Sequence, residues 1–436
     1  MEREKVLALA AEVFPQAVKR RRDLHAFPEP AWTEFRTASL CAAALSRAGW
    51  DVRVGESVCL PGARMGVPAA AELELAYQQA LDAGGDAAWM EEMRGGFTGV
   101  FATLKGPKPG PTVAFRFDMD ALEVLEERDQ VHYPVREGFV SRRPGLMHSC
   151  GHDAHTSIGV AVGEVLGRLQ NTLKGTCHIL LQPGEEGTRG AASMVAAGLL
   201  DGVDYYLAPH VGAQSKVTGE VIPGITNFLA TVKLDVRFYG KEAHAGLAPE
   251  HGRHALMGAA QAALGLHAIP RHSTGNSRVN VGVLRAGSGR NVIPGEAFMK
   301  LELRGETNEI IDYLEDQARN VIAGAAAMWG LTQEVNRVGA APSASSDPEM
   351  MELIARIARE LPGVHTIGNP CRAAASDDAT AMMLRVQQQG GKAAYVILGT
   401  ALPSGHHTPR FDIEESCIRT GIELFSLAAL ELTGSV

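Results

Sequence analysis

Hydrophobic and polar positions follow two different patterns along the chain, and the change falls near residue 225. Before it, short apolar runs alternate with helical patterns. The predicted strands cover 100–104, 112–117, 176–182 and 204–210, and the predicted helices between them cover 155–169 and 191–200. This alternation is typical of an α/β sheet whose strands are mostly parallel.

From residue 225 the chain has the pattern of half-buried strands. In 230–239, Val232, Leu234, Val236 and Phe238 alternate with polar residues, which predicts one buried and one solvated face. A helical pattern, two strand patterns and a long helical pattern follow, up to about residue 330. We therefore predict a β-α-β-β-α domain of the α+β type at 225–337, inserted into a mostly parallel α/β domain formed by 1–224 and 338–436.

Composition narrows the class of protein. A chain of 436 residues with 45% hydrophobic residues is long enough for two domains that each bury a core. Its net charge of −9 argues against nucleic acid or an anionic membrane as partner. Glu2 and Glu4 stand where an export signal would be basic. The six cysteines are widely scattered, as in a reduced cytoplasmic protein, so we expect a cytoplasmic location.

Residues that bind metals collect after several of the predicted strands. They fall in five short segments, at 117–120, 148–155, 182–187, 209–210 and 405–412. Ligands of open α/β sheets bind in the crevice beyond the carboxyl ends of the strands. Cysteine, histidine and glutamate side chains that converge there predict a metal site. A single histidine or an exposed glutamate pair is more often structural, so the combination carries the prediction.

The spacing within two of these segments suits metal chemistry. Cys150 and His152 are separated by Gly151, and a glycine allows the turn that brings the two side chains together. Glu185 and Glu186 are adjacent, so their side chains point in different directions. One of the two can hold a metal while the other serves as a general base.

The motifs resemble those of the aminoacylase and carboxypeptidase-G family of metallohydrolases, in the branch of the hippurate and auxin-conjugate hydrolases. Its patterns H-x-C-G-H-D-x-H, Q-P-x-E-E and H-[ST]-P-x-F match segments 148–155, 182–186 and 407–411. Segments 240–246 and 290–294 resemble signatures of the lid domain of that family, which also serves in dimerisation. The resemblance spans nearly the whole chain.

This resemblance implies roles for individual residues. The implied metal ligands are Cys150, His152, Glu186, His210 and His407, and His406 is a poorer candidate. Cys150 stands where many relatives have a bridging aspartate, so its thiolate is expected to bridge two divalent ions. The resemblance implies manganese, whereas a thiolate ligand favours zinc.

The catalytic and substrate-binding roles follow in the same way. The resemblance implies Glu185 as the general base, Asp120 as a residue that orients a ligand from behind, and His244 as the group that polarises the scissile carbonyl. Asn291 and Arg304 are expected to contact the amino-acid end of the substrate. The expected assembly is a homodimer, or a heterodimer with a homologous subunit, in which the partner can supply this histidine.

Within the branch, three features favour p-aminobenzoyl-glutamate, cleaved to p-aminobenzoate and glutamate: the long insert ending at 95–99, the segment 185–190, and the segment 287–291. A glutamyl leaving group carries two carboxylates. Arg304 can match one of them, and Arg189 and Arg290 are candidates for the other. The alternatives are another N-acyl amino acid, such as hippurate or an auxin conjugate, and a non-catalytic partner subunit. A redox protein using Cys150 would lack a resolving C-x-x-C pair.

Overall fold

The computed structural model describes residues 2–373 and 375–435, and the chain divides into two compact units. The first unit comprises Met1–Thr226 and Ala344–Val436, and the second comprises Asn227–Ser343. The boundary predicted at 337 falls inside the strand Thr332–Ala341. That strand pairs with Ala230–Tyr239, so the second unit extends beyond the predicted end.

The helices of the described residues lie mainly in the first unit. They are α1 (Glu2–Ala26), α2 (Phe35–Arg47), α3 (Ala70–Asp82), α4 (Ala87–Met90), α5 (Tyr133–Arg136), α6 (His152–Arg168), α7 (Ala191–Ala196), α8 (Ala255–His267), α9 (Asn308–Met328), α10 (Pro348–Arg359), α11 (Ala379–Gln388) and α12 (Ser416–Leu432).

The strands of the described residues form one large sheet and several smaller ones. They are β1 (Asp51–Val54), β2 (Val100–Lys105), β3 (Lys108–Asp118), β4 (Lys174–Gln182), β5 (Tyr205–Val211), β6 (Glu220–Ile222), β7 (Ile225–Thr226), β8 (Ala230–Tyr239), β9 (Ala243–His244), β10 (Ser277–Ala286), β11 (Val292–Ile293), β12 (Glu296–Gly305), β13 (Thr332–Ala341), β14 (Thr366–Ile367), β15 (Cys371–Arg372) and β16 (Lys392–Leu398).

The first unit is built on an eight-stranded sheet with the order β1-β2-β4-β3-β5-β16-β6-β14. The central strands β4, β3, β5 and β16 are parallel, but β2 pairs with β4 and β6 pairs with β16 in antiparallel fashion. The sheet is therefore mixed, with parallel strands in its centre. Only residues 106 and 107 separate β2 from β3, and so short a connection reverses the chain direction.

The parallel centre places several strand ends at the same edge of the sheet. Asp118 at the end of β3 is in register with Gln182 at the end of β4, and Val211 at the end of β5 is in register with Leu398 of β16. Metal-binding side chains that follow or end these strands therefore lie at one edge.

Helices α1, α6 and α12 pack together and cover one part of this sheet. Phe425 of α12 makes edge-to-face contacts with Phe115 and Phe117 of β3, with ring centroids 6.1 Å apart in both pairs. Helix α6 begins at His152, directly after Gly151, which has φ of 87°. A β-carbon at Gly151 would lie 2.4 Å from the Val211 side chain, so the turn requires glycine.

The second unit has a four-stranded antiparallel sheet with the order β10-β12-β8-β13. Helices α8 and α9 pack against it and against each other. The buried face of β8 carries Val232, Leu234, Val236 and Phe238, which confirms the predicted alternation in this strand. The strand β13, absent from the predicted β-α-β-β-α order, completes the sheet.

Candidate metal centre

The five residues proposed as metal ligands lie in two overlapping groups in the first unit. Cys150, His152 and His210 form one group, and Cys150, Glu186 and His407 form the other. Within each group, the nitrogen, sulfur and oxygen atoms that could bind an ion lie within 4.8 Å of one another. Cys150 belongs to both groups, which is the arrangement that a thiolate shared by two ions requires.

Two of the histidines are oriented by backbone carbonyl groups. The Nδ1 atom of His152 lies 2.8 Å from the backbone oxygen of Asp120, and that of His210 lies 2.9 Å from the backbone oxygen of Val211. A hydrogen bond from Nδ1 leaves Nε2 as the ligand atom and fixes the direction of the ring. The Nε2 atom of His152 is buried and has no hydrogen-bond partner among the described residues, as expected of a metal ligand.

The electrostatics of the site favour a bound cation. Burial, followed by the charges of Asp377 and Glu186, raises the pKa of Glu185 well above its usual value. Burial, followed by the charge of Glu186, also raises the pKa of the Cys150 thiol well above its usual value. Several acidic groups thus lie close together in a buried environment, where water cannot screen their negative charge. Bound divalent ions would compensate that charge. Nitrogen, sulfur and oxygen donors in these positions fit such ions.

Three buried carboxylates hold the loop that carries Glu185 and Glu186. Asp120 accepts hydrogen bonds from the backbone nitrogens of both residues, at 3.0 and 2.8 Å. Glu34 accepts one from Gly184, at 2.8 Å. Asp378 accepts bonds from the backbone nitrogens of Gly190 and Ala191, at 3.1 and 3.0 Å, and from Gln182 Nε2 at 2.7 Å.

Glu34 and Asp378 were not predicted from the sequence. Glu34 is 150 residues from Gly184, and Asp378 is 188 residues from Gly190. Neither stands near a cysteine or histidine that would draw attention to it. The sequence feature that could have pointed to Asp378 is its position in the adjacent acidic pair Asp377 and Asp378. These carboxylates determine the loop conformation, because a buried backbone N–H requires an acceptor.

A second buried network involves His155, whose ring stacks on that of His152 with ring centroids 5.4 Å apart. Asp118 at the end of β3 contacts the Nδ1 atom of His155 at 2.5 Å and the guanidinium of Arg116 at 2.7 Å. Arg116 also reaches Asp377 and Asp378, both at 3.2 Å. All of these side chains are buried. The cation of Arg116 therefore balances part of the acidic charge behind the site.

The last predicted segment supplies one ligand candidate and one packing residue. The His407 ring is about half exposed, and its Nε2 lies 3.3 Å from the Glu186 carboxylate. Its neighbour His406 packs against the rings of His210 and Phe411, with Nε2 3.2 Å from the backbone oxygen of Val211. The structure thus brings His407, and not His406, next to Glu186.

Arg189 lies half-buried at the end of the loop that carries Glu185, and its Nη1 is 3.4 Å from the backbone oxygen of Gly66. The other predicted substrate residues lie on the second unit. His244 is exposed on β9, and its Nδ1 accepts hydrogen bonds from Gly246 and Leu247. Asn291 and Arg290 are also exposed.

Arg304, in β12, is paired with a neighbour on its own strand. Its Nε and Nη2 donate to the two carboxylate oxygens of Glu302, at 2.9 and 3.0 Å. The guanidinium is therefore engaged by a protein carboxylate, in the fork geometry that would also suit a substrate carboxylate.

Cysteine, histidine and glutamate donors around a buried glutamate, at the strand ends of a mixed α/β sheet, are the architecture of metal-dependent hydrolases of amide bonds. The chain belongs to one such family, because residues 114–431 match the model of peptidase family M20/M25/M40. This confirms the resemblance stated from the motifs.

The chain is also similar over nearly its whole length to two curated relatives and to one solved structure. The chain is 47% identical over 420 residues to indole-3-acetyl-aspartic acid hydrolase of Enterobacter agglomerans, covering 96% of each chain. It is 45% identical over 417 residues to a p-aminobenzoyl-glutamate hydrolase subunit of Escherichia coli, covering 95% of each. The crystal structure of an aminobenzoyl-glutamate utilization protein from Klebsiella pneumoniae has 41% identity and a TM-score of 0.84, and covers 97% of both chains.

These findings bear on the other predictions. The likeness to a p-aminobenzoyl-glutamate hydrolase, favoured by the features at 95–99, 185–190 and 287–291, is confirmed. Membership of a peptidase family identifies the chain as a hydrolase of amide bonds. Among the described residues, no helix combines the length and apolarity that a membrane crossing needs.

Proposed function

We propose that the chain hydrolyses the amide bond between an acyl group and an acidic amino acid, with p-aminobenzoyl-glutamate as its substrate. The observation that carries this proposal is the pair of ligand groups that share Cys150 beside the buried carboxylate of Glu185. The relatives named above support the substrate. A second candidate is an indole-3-acetyl amino acid, favoured by the relative that is 47% identical.

The five proposed ligands would hold two divalent ions, and Cys150 belongs to both candidate ligand groups. Bound ions of this kind acidify a water molecule and stabilise negative charge on a carbonyl oxygen. Manganese and zinc are the two candidates. The thiolate and imidazole donors favour zinc, whereas the resemblance to the family favours manganese.

Glu185 would act as the general base of the reaction. It would accept the proton of the attacking water and later deliver it to the nitrogen of the leaving amino acid. One feature of the loop supports this role. The Asp120 carboxylate accepts a hydrogen bond from the backbone nitrogen of Glu185 at 3.0 Å and so fixes the position of this residue.

On the second unit, we propose that His244 polarises the scissile carbonyl and stabilises the developing oxyanion. Asn291 and Arg304 would bind the α-carboxylate of the amino acid. Arg304 would then release the Glu302 carboxylate and bind that of the substrate. Arg189 and Arg290 remain the proposed candidates for the second carboxylate. The second unit is proposed to act as a lid and in dimerisation.

The proposed assembly is a homodimer or a heterodimer with a homologous subunit, and the proposed location is the cytoplasm. The relatives of Escherichia coli and Haemophilus influenzae carry the names of hydrolase subunits, which supports an assembly of more than one chain. The partner, or the same chain, would supply His244.

The test uses the purified single chain, loaded with manganese or with zinc. We expect release of p-aminobenzoate from p-aminobenzoyl-glutamate, and loss of that activity after removal of metal by a chelator. Hydrolysis of indole-3-acetyl-aspartate but not of p-aminobenzoyl-glutamate would favour the second candidate. Absence of hydrolysis by the metal-loaded chain, followed by activity on addition of a homologous subunit, would show that the heterodimer is required. If Glu185→Gln in this chain then left the activity of the heterodimer unchanged, the chain would be a non-catalytic partner.

A further inference from the structure

Arg64 stands in the segment between α2 and α3, in an environment that holds its guanidinium in place. Its Cζ atom lies 3.6 Å from the centroid of the Phe97 ring and 5.5 Å from that of the Trp32 ring. Its Nη1 donates to the backbone oxygen of Gly95 at 2.7 Å. Its Nε is buried without a hydrogen-bond partner among the described residues.

No carboxylate in the described part of the chain forms an ion pair with this cation. The hydrogen bonds of Arg64 and of Arg189 go to backbone carbonyl oxygens. Burial lowers the pKa of Arg64 from its usual value, and Cys59 and Glu56 oppose this only in part. A half-buried guanidinium with an unused donor and no carboxylate of its own is suited to an anionic ligand.

Hydrogen bonds connect the segment around Arg64 to the loop that carries Glu185. Arg189 Nη1 lies 3.4 Å from the backbone oxygen of Gly66, and the Arg189 backbone nitrogen donates to Gly184 at 3.0 Å. Trp32 Nε1 donates to the backbone oxygen of Met65 at 2.8 Å. Arg64 and Arg189 therefore lie on two segments that are joined by a hydrogen bond, and the second of these segments is the loop that carries the proposed catalytic base.

We infer that Arg64, with Arg189, forms a binding site for the side-chain carboxylate of an acidic amino acid in the substrate. This inference rests on the proposed function and specifies its leaving group. The aromatic rings beneath Arg64 fix the guanidinium, so that little freedom is lost when a carboxylate binds. An acyl amino acid with a neutral side chain has no carboxylate for Arg64 and Arg189 to bind, so this site would not stabilise its binding.

The test compares p-aminobenzoyl-glutamate with p-aminobenzoyl-glutamine, which has the same shape but no side-chain charge. In Arg64→Gln, we expect the ratio of kcat/KM for the glutamyl substrate to that for the glutaminyl substrate to fall by about 10- to 100-fold, the range of a lost charge-assisted hydrogen bond. The loss is expected mainly in KM, because the site lies on the amino-acid side chain and not at the reacting carbonyl.

Arg94→Gln is the matched control. Arg94 also lies over an aromatic ring, 4.1 Å from the centroid of Tyr77, but it is already paired with Glu74 and Glu91. This variant should leave the substrate ratio unchanged. If Arg64→Gln does not fold, as judged by its melting transition, the test uses Arg64→Lys and Arg189→Gln instead. Arg64→Lys keeps the positive charge but removes the paired N–H donors of the guanidinium.

The outcomes separate this inference from the proposed function. An unchanged ratio in folded Arg64→Gln, or in both substitute variants, overturns the inference while hydrolysis by the wild type upholds the function. A wild type that cleaves neither p-aminobenzoyl substrate contradicts the proposed acyl group. The same comparison with indole-3-acetyl-aspartate and indole-3-acetyl-asparagine then tests the carboxylate site on its own, and an equal rate for that pair overturns it.

Discussion

The loop that carries Glu185 and the segments that carry His244 and Asn291 differ in how the protein holds them. Asp120 is 1% exposed and Glu185 is 9% exposed, and backbone N–H groups of the loop reach three buried carboxylates. On the second unit, His244 and Asn291 are exposed, and Leu247 beside them is 82% exposed. The first region is preorganised by its own unit, whereas the second presents side chains to solvent.

Substitutions in the two regions should therefore differ in their effects on stability and on activity. A carboxylate that holds the loop cannot change without weakening the pairing of a buried backbone N–H, so both stability and activity should respond. An exposed residue on the second unit leaves few contacts behind, so activity should respond without stability. The following predictions test that contrast.

The largest effect is expected at the shared ligand. Cys150→Ala should lose bound metal and almost all turnover, because it removes a donor from both groups. Cys150→Asp should keep metal and part of the activity, since a carboxylate can also bridge. Metal content is measured by elemental analysis of the purified protein. Cys177→Ala, at a buried cysteine in β4, is the control, and two ions retained in Cys150→Ala would exclude the thiolate as a ligand.

Glu185→Gln should retain metal and fold but lose about 10²- to 10⁴-fold in kcat, the usual range for a general base. The substitution keeps the shape of the side chain and removes its ability to accept a proton. Turnover is measured on protein whose metal content equals that of the wild type. Near wild-type kcat in this preparation would remove Glu185 from the catalytic role.

His244→Asn is the corresponding change on the second unit. Removal of an oxyanion-stabilising donor typically costs about 10²- to 10³-fold in kcat. Because His244 is exposed, the melting temperature and the metal content should equal those of the wild type. His251→Asn, at another exposed histidine of this unit, should leave all three quantities unchanged. A lowered melting temperature in His244→Asn would contradict the contrast between the two regions.

The smallest effect is expected at a support of the loop. In Asp378→Asn, an amide takes the place of a carboxylate that accepts hydrogen bonds from two backbone nitrogens, Gln182 and Arg116. We expect kcat to fall about 10-fold and stability to fall by about 1–3 kcal/mol.

Asp347→Asn is the control for that change. Asp347 accepts hydrogen bonds from the Ala393 backbone and from Gln387, so the variant should lose stability without the loss in kcat. Equal effects of the two variants on kcat would show that Asp378 contributes stability alone. Urea denaturation and steady-state kinetics measure the two quantities.

Apart from the mostly exposed strand β13, the order of strands and helices in the second unit could be predicted, because strands such as β8 have one buried face. The alternation in β8 reflects a sheet with helices on one side, and residue spacing alone encodes it. The mixed nature of the large sheet could not be predicted, since central strands buried on both faces show no direction. The short strands β6 and β14, the last two at one side of the sheet, have too few residues for a pattern.

The candidate metal-binding motifs could be found from sequence because proposed ligands such as Cys150 and His152 are close neighbours in the chain and belong to chemically distinctive types. Their supports are different. Glu34 and Asp378 are ordinary acidic residues in sequence, and Arg64 is one of many cations. Their importance arises only when folding places them beside a backbone N–H or an aromatic ring.

The sequence by itself determined the residue types that can bind metal, the glutamate that can accept a proton, and the change of pattern between two kinds of unit. The tertiary structure alone decided that Cys150 stands in both ligand groups, which carboxylates hold the Glu185 loop, and which arginines lack an acidic partner among the described residues. The physical reason is that burial and pairing are properties of neighbours in space. Desolvation and hydrogen bonding act over a few ångströms, and residues more than a hundred positions apart meet at that distance only in the folded chain.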